Sequence, residues 1–162
     1  MNKQEIYNLL SARGMWHEIT EHPAAYNMEE MGQIALPYPE ADAKNLFVRD
    51  DKKRNYYLIT VQGDKRVDLK EFKRKHGTRS LTFASEGEMM EYLSLTAGSV
   101  TPLGLLNDKE CKVKLYLDKY FMEAPALIGV HPNDNTATVA MKTEDLIMLL
   151  TEHGSQVEVV EV

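Results

Sequence analysis

The sequence predicts one α+β domain over residues 1–162, with a mixed, mostly antiparallel sheet flanked by helices. Helix-like and strand-like segments follow one another without the steady alternation of a doubly wound fold. Two pairs of apolar runs are joined by short polar turns, as in β-hairpins. A chain of 162 residues has room for one sizeable core and is short for two. Because it contains neither G-x-G-x-x-G nor a P-loop lysine motif, a nucleotide-binding doubly wound fold is not expected.

The first half of the chain is predicted to contain three helices and three strands. Residues 2–13 form the first helix, because Ile6, Leu9 and Leu10 recur at helical spacing and Gly14 provides a stop. A basic helix ends in the same way at Gly77. In order, the pattern predicts a strand at 16–20, a short helix at 28–35, a hairpin of strands at 45–48 and 56–61, and the basic helix at 68–76.

The second half is predicted to be richer in strands. Thr143 is expected to cap a helix, with Glu144 and Asp145 in the first turn, where acidic residues suit the helix dipole. The elements in order are a strand at 81–84, a helix at 86–95, a helical turn at 102–107, strands at 113–117, 126–130 and 136–142, a helix at 144–152 and a strand at 157–160. A Pro-Asn-Asp-Asn turn joins the strands at 126–130 and 136–142.

Charge is distributed unevenly along the chain. The total is -6, yet residues 44–79 hold twelve Lys or Arg against five Asp or Glu, a net +7 that leaves -13 for the rest. Such segregation favours a local contact with a polyanion. A solvated helix with two charged loop tips explains the same pattern, and charge alone favours neither interpretation.

The remaining composition indicates the compartment. Cys111 is the single cysteine, which excludes an internal disulfide and fits a reducing environment. There is no apolar run of the ~18 residues that a membrane helix needs, and the polar start is unlike a signal peptide. We therefore expect a soluble, cytoplasmic protein without a membrane partner.

Familiar catalytic and metal-binding patterns are missing from the sequence. His17 and His22 are five residues apart, a spacing that puts them on different faces of a helix or a strand. Zinc motifs on helices use a spacing of four. Neither Cys111 nor Ser99 has the neighbours of an activated nucleophile. We expect neither a metal nor a cofactor.

Three separate segments have the residue types that an anionic substrate requires. Gly98–Pro102 contains a glycine whose loop can turn backbone N–H groups toward a carbonyl or an oxyanion. Lys44 precedes an apolar strand, and His131 lies where a strand enters a turn. Each also has a structural interpretation, as a helix stop, an exposed strand end and a turn residue.

The same segments belong to a set of motifs that runs in order through nearly the whole chain. They are His22-Pro23-Ala24-Ala25-Tyr26, Lys44-Asn45-Leu46-Phe47-Val48-Arg49-Asp50, Tyr56-Tyr57-Leu58, the G-x-x-x-P loop Gly98–Pro102 with Leu103-Gly104-Leu105, and Gly129-Val130-His131-Pro132-Asn133-Asp134-Asn135-Thr136. With these motifs the chain resembles the free-standing prolyl-tRNA editing proteins, which are similar to the insertion domain of bacterial prolyl-tRNA synthetases and to the YbaK deacylases. The resemblance implies one editing domain over residues 1–162 with a barrel-like sheet.

The resemblance also implies which residues form the site, without a metal. It assigns catalysis to Lys44, Gly98 and His131. Lys44 would bind the terminal nucleotide, and the loop after Gly98 would orient the ester carbonyl. The implied substrate-binding residues are Tyr26, Asn45, Ser99, Val100, Thr101, Pro102, Gly129 and Pro132.

The implied activity is hydrolysis of a wrong amino acid from the acceptor end of tRNA(Pro), and prolyl-tRNA synthetase is a candidate partner. The His-Pro-Asn turn at 131–133 favours alanyl-tRNA(Pro) as substrate. Two alternatives remain open: a cysteinyl-tRNA(Pro) deacylase, and a non-catalytic module that binds aminoacyl-tRNA or a synthetase.

Overall fold

Eight strands form two sheets, and five α-helices accompany them. The computed structural model describes the backbone of residues 1–162 and every side chain except that of Met28. The strands are β1 (His17–Glu21), β2 (Ala43–Asp50), β3 (Tyr56–Gln62), β4 (Leu81–Phe83), β5 (Val113–Asp118), β6 (Leu127–Val130), β7 (Ala137–Lys142) and β8 (Val157–Val160). The helices are α1 (Lys3–Ala12), α2 (Met28–Met31), α3 (Leu69–His76), α4 (Glu86–Leu93) and α5 (Thr143–His153).

The larger sheet has the order β4-β2-β3-β5-β8 and the smaller one the order β1-β7-β6. Only β3-β5 and β5-β8 are parallel, so the mixed, mostly antiparallel sheet and the α+β class are confirmed. Over the described backbone the two sheets do not close into a barrel. A parallel bridge between Asp42 and Gly129 joins the start of β2 to β6, and this junction lies at the site described below.

The core consists of two apolar clusters on opposite sides of β3. The larger cluster combines both sheets with α1 and α5, and the smaller one packs under α3. Alternation along β3 explains this, because Leu58 belongs to the larger cluster while Ile59 and Val61 belong to the smaller one. Phe72 of α3 closes the smaller cluster against Tyr116, with ring centroids 5.0 Å apart.

Helix ends follow the sequence in most places. Asp68 caps α3 through its side chain, and the left-handed Gly77 ends it. Two predictions need correction. The helix expected at 28–35 is only the single turn of α2. The cap predicted at Thr143 is wrong, because Lys142 occupies the cap position and the buried Thr143 hydroxyl donates instead to the carbonyl of Phe121, 2.7 Å away.

Among the described residues, no helix combines the length and the apolar character that a membrane crossing needs.

Candidate active site

A cavity of about 180 Å³ opens where the start of β2 meets the loop after α4 and the turn between β6 and β7. Residues distant in sequence form its wall. Seven of the eleven residues predicted for the site line it, namely Tyr26, Lys44, Asn45, Gly98, Val100, Gly129 and His131. Their roles in substrate binding and catalysis stay predictions.

Lys44 reaches the cavity from β2, where it pairs with Val61 of β3. Its ammonium group donates a hydrogen bond to the backbone carbonyl of Lys65. Burial lowers the pKa of Lys44, the nearby Arg66 lowers it further, and Asp64 acts in the opposite direction. Within the described part of the chain, Lys44 forms no ion pair with a carboxylate. Its positive charge is therefore available to an anionic ligand.

Gly98 occupies a position that a side chain would disturb. Its φ is +90°, and an added Cβ would lie 2.8 Å from the Cδ1 atom of Tyr26 and 3.2 Å from the Nδ2 atom of Asn135. Among the described atoms, the backbone N–H groups of Gly98 and Val100 have no hydrogen-bond acceptor, and both residues line the cavity. These two groups can accordingly donate to a ligand oxygen.

Two side-chain hydrogen bonds hold the loop in place. The Nδ2 atom of Asn45 donates to the Val100 carbonyl at 3.3 Å, and the hydroxyl of Thr60 fixes Asn45 at 2.7 Å. Thr101 is fully buried, and its hydroxyl donates to the carbonyl of His131 at 2.7 Å. Strand β2, the loop and the His131 turn are therefore joined directly.

His131 lies at the end of β6 and contributes a neutral imidazole. Its Nδ1 atom is 2.8 Å from the carbonyl of Ala137, which can only accept, so Nδ1 carries the proton. Burial lowers the pKa of His131 below its usual value, although this bond opposes the shift, and His22 nearby lowers it further. The Nε2 atom is left as an acceptor at pH 7.

The other predicted site residues lie behind the cavity wall or at its mouth. Ser99 is buried and donates to the carbonyl of Thr96 at 2.9 Å. Pro102 begins a buried 3-10 turn over Pro102–Asn107, and Pro132 is buried beside His131. With Thr101 they support the wall and do not line the cavity. Tyr26 is 66% exposed at the mouth.

Asp42 and Thr138 line the cavity but were not predicted. Burial raises the pKa of Asp42 to about 6, and Asp64 adds to this effect. The Thr138 hydroxyl lies 2.9 Å from the Nε2 atom of His22. Asp42 is two residues before Lys44 on an extended segment, so the alternation of side chains places both on one face. That two-residue spacing was the signal in the sequence from which Asp42 could have been predicted.

His17 and Cys111 do not line the cavity. The Nδ1 atom of His17 bonds the carbonyl of Met15 at 2.7 Å. Cys111 is half-buried, with its Sγ atom 3.8 Å from the His153 carbonyl. No group of three potential metal ligands occurs among the described side chains.

Comparison with known proteins identifies the family. The sequence model of the aminoacyl-tRNA editing domain matches residues 22–149. The chain belongs to this family. The resemblance to prolyl-tRNA editing proteins is thereby confirmed, and so is the class of enzyme, an aminoacyl-tRNA hydrolase.

Relatives match the editing-domain chain over nearly its full length. The prolyl-tRNA editing protein ProX of Acetoanaerobium sticklandii is 37% identical over 159 residues, which covers 98% of this chain and 96% of ProX. The prolyl-tRNA synthetase associated domain-containing protein 1 of Mus musculus is 35% identical, covering 94% of this chain and 91% of the mouse protein. A solved candidate trans-editing enzyme for prolyl tRNA synthetase superposes with a TM-score of 0.72 at 24% identity, covering 99% and 96% of the two chains, so the fold is shared.

Proposed function

We propose that this editing domain removes alanine from mischarged alanyl-tRNA(Pro) in trans. The observation that supports it most is the meeting of Lys44, the Gly98 loop and His131 around one cavity. The name of ProX supports tRNA(Pro) as the substrate. Alanine, as opposed to cysteine, is inferred from the turn that contains His131.

The proposed reaction is hydrolysis of an ester that is already activated. Water adds to the ester carbonyl carbon, and the charge that develops on its oxygen is stabilised by the N–H groups of Gly98 and Val100. The bond from this carbon to the ribose oxygen then breaks, and that oxygen takes up the proton that the attacking water gives up as alanine leaves. The neighbouring ribose hydroxyl of the substrate takes part, as the family resemblance implies. Lys44 binds the phosphate of the terminal nucleotide.

The cavity selects between esterified amino acids by their size. A proline pocket in a synthetase rejects a smaller amino acid weakly, because missing methylenes are worth only about 1–3 kcal/mol. A second cavity that admits alanine and excludes proline restores accuracy. We assign the size limit to His131, because its ring and carbonyl are both held by hydrogen bonds, to Ala137 and from Thr101.

We assign tRNA binding to the basic strip, defined as residues 65–79. The strip begins at the cavity wall, where the Lys65 carbonyl accepts from Lys44, and continues through α3. Lys70 and Lys73 line a groove between α3 and β4, are exposed, and form no ion pair with a described acidic side chain. Phosphates of the acceptor stem fit this arrangement, since exposed cations beside a site attract the nucleic-acid backbone.

We also propose that residues 1–162 act as one editing domain. The family match leaves out α1, β1 and β8. Ile6 and Leu10 of α1 are nevertheless fully buried in the larger core cluster. Lys3 donates to the hydroxyl of Thr136 at 2.9 Å, which connects α1 to the turn after His131.

The test is to incubate the purified chain with alanyl-, cysteinyl-, seryl- and prolyl-tRNA(Pro) and follow the amino acid released. We expect rapid release of alanine and intact prolyl-tRNA, with and without prolyl-tRNA synthetase. If cysteine is released in preference to alanine, the substrate is cysteinyl-tRNA(Pro) and not alanyl-tRNA(Pro). If the protein binds these tRNAs and hydrolyses none of the esters, the proposed enzymatic activity is rejected. His131→Ala should increase hydrolysis of prolyl-tRNA relative to alanyl-tRNA by about tenfold, within the range for methylene discrimination; unchanged discrimination would contradict the assigned size limit.

A further inference from the structure

Asp42 places a carboxylate in a cavity whose other proposed polar groups bind anionic parts of the substrate. It lies immediately before β2, and its backbone forms the bridge to Gly129 that joins the two sheets. It lines the same cavity as Lys44, Gly98 and His131. Nothing in the proposed reaction uses this carboxylate.

The carboxylate of Asp42 has no cationic partner among the described side chains. Lys44, two residues away, forms no ion pair with Asp42, and its ammonium group donates to the Lys65 carbonyl. Burial favours the protonated form and raises the pKa of Asp42 to about 6, although a hydrogen bond from the backbone N–H of Ala43 opposes the rise. A desolvated acid without a counter-ion is stabilised as the anion when a cationic ligand arrives.

The surroundings of Asp42 do not supply that cation. Asp64, after β3, is a second acid and raises the pKa further. Glu18 of β1 and Tyr38 line a small adjoining cavity with Asp42 and bond one another at 3.2 Å. His131, across the main cavity, is neutral at pH 7 because burial lowers its pKa. The only fixed cation nearby is Lys44, among the described groups that line the cavity.

The aminoacylated 3′ terminus of a tRNA carries two opposite charges. Its terminal nucleotide has an anionic phosphate, and the esterified amino acid has a free α-amino group with a pKa near 8. Lys44 and Asp42 present the complementary charges within one cavity. Granted the proposed function, we infer that the Asp42 carboxylate binds the α-ammonium group of the aminoacyl ester.

If Asp42 binds the α-ammonium group, the enzyme selects its substrate by this charge as well as by size. An ester whose α-position carries a hydroxyl, or an acetylated amino group, has no cation to pair with Asp42. Its binding would leave a desolvated carboxylate unpaired, which is unfavourable. The protein should therefore distinguish aminoacyl esters from other acyl esters of the same tRNA.

The test compares alanyl-tRNA(Pro) with lactyl-tRNA(Pro), in which a hydroxyl replaces the α-amino group. For Asp42→Asn we expect kcat/KM on the alanyl ester to fall about 10- to 100-fold, the range for a hydrogen bond between charged groups. Hydrolysis of the lactyl ester should not fall, because the variant removes the unpaired carboxylate, so the preference for the alanyl ester collapses. Asp64→Asn is the matched control, because Asp64 is a neighbouring acid that does not line the cavity.

The pH profile provides a second measurement. Since binding requires the carboxylate, kcat/KM on the alanyl ester should rise with pH through about 6 in the unmodified protein, the value to which burial raises the pKa of Asp42. Asp42→Asn should remove this step for the alanyl ester only. Retained lactyl hydrolysis shows that the variant is folded, and Asp42→Ser serves as a second variant should the first fail to fold.

The outcomes separate this inference from the proposed function. If the unmodified protein hydrolyses alanyl-tRNA(Pro) and Asp42→Asn leaves the alanyl-to-lactyl ratio unaltered, ammonium binding by Asp42 is overturned while the proposed function stands. An equal loss on both esters has the same meaning, because it reveals a general structural role. If the unmodified protein hydrolyses neither ester, both proposals are rejected.

Discussion

The cavity and the basic strip both use cations from residues 44–79, but they are built differently. The cavity combines Lys44 with residues more than fifty positions away, and partly buried hydrogen bonds from Asn45 and Thr101 fix their arrangement. The strip is contiguous in sequence, and the cations that it carries on α3 (Lys70, Lys73, Arg74 and Lys75) are exposed to solvent. Fixed geometry is what a chemical step requires, whereas exposed charge contributes affinity that salt screens. The two regions should therefore respond differently to single substitutions.

The largest effect is expected at Gly98. A side chain there would meet the ring of Tyr26 at 2.8 Å, and alanine would be strained at a φ of +90°. The Gly98 and Val100 N–H groups would then be displaced from the ester oxygen. We expect Gly98→Ala to lower the deacylation rate about 100- to 1,000-fold, as for loss of an oxyanion donor. Single-turnover release of alanine measures it.

Gly77→Ala is the matched control in the basic strip. Gly77 also has a left-handed conformation, with a φ of +66°, but an added Cβ would meet nothing within 4 Å. Both variants should lose stability by about 1–2 kcal/mol from the backbone strain. Only Gly98→Ala should lose the chemical step. Equal rates for the two variants would show that the close approach at Gly98 has no catalytic consequence.

Lys44→Ala is expected to have the next largest effect. Its ammonium group is half-buried at the cavity wall, so the proposed bond to a phosphate would be charge-assisted and poorly screened. We expect a loss of about 10- to 100-fold in kcat/KM. Lys70→Ala removes the same formal charge from an exposed position and should change it less than about threefold, since exposed pairs are weak. Comparable losses would remove the distinction between the two regions.

The sequence was sufficient to predict the secondary structure of the basic strip and the individual segments that form the cavity. Local rules predicted α3 with its stop at Gly77, the hairpin of β2 and β3, and the helical turn at Pro102–Asn107. Motif resemblance then selected eleven residues, of which seven line one cavity. These features depend on short-range chemistry, which a single sequence displays directly.

The remainder depends on contacts between distant residues. Thr143 has the side chain of a helix cap, yet burial and a free carbonyl at Phe121 turn its hydroxyl inward. Asp42 precedes its strand like an ordinary surface acid; its two-residue spacing from Lys44 is the one local signal, and the bridge to Gly129 completes its placement at the cavity. Tertiary packing decided Thr143 entirely and Asp42 in part.

The smallest effect, and the one that best defines the strip, is expected from the double variant Lys70→Ala with Lys73→Ala. Each lysine that neutralises a phosphate releases about 0.7–0.9 counterion, so the slope of log affinity against log salt should become shallower by about 1.5. At low salt the KM for alanyl-tRNA(Pro) should rise several-fold with kcat unchanged. The matched control is Lys109→Ala with Lys142→Ala, which removes two exposed lysines outside the strip. An identical change of slope in the control would mean that net charge, and not the surface of α3, attracts the tRNA.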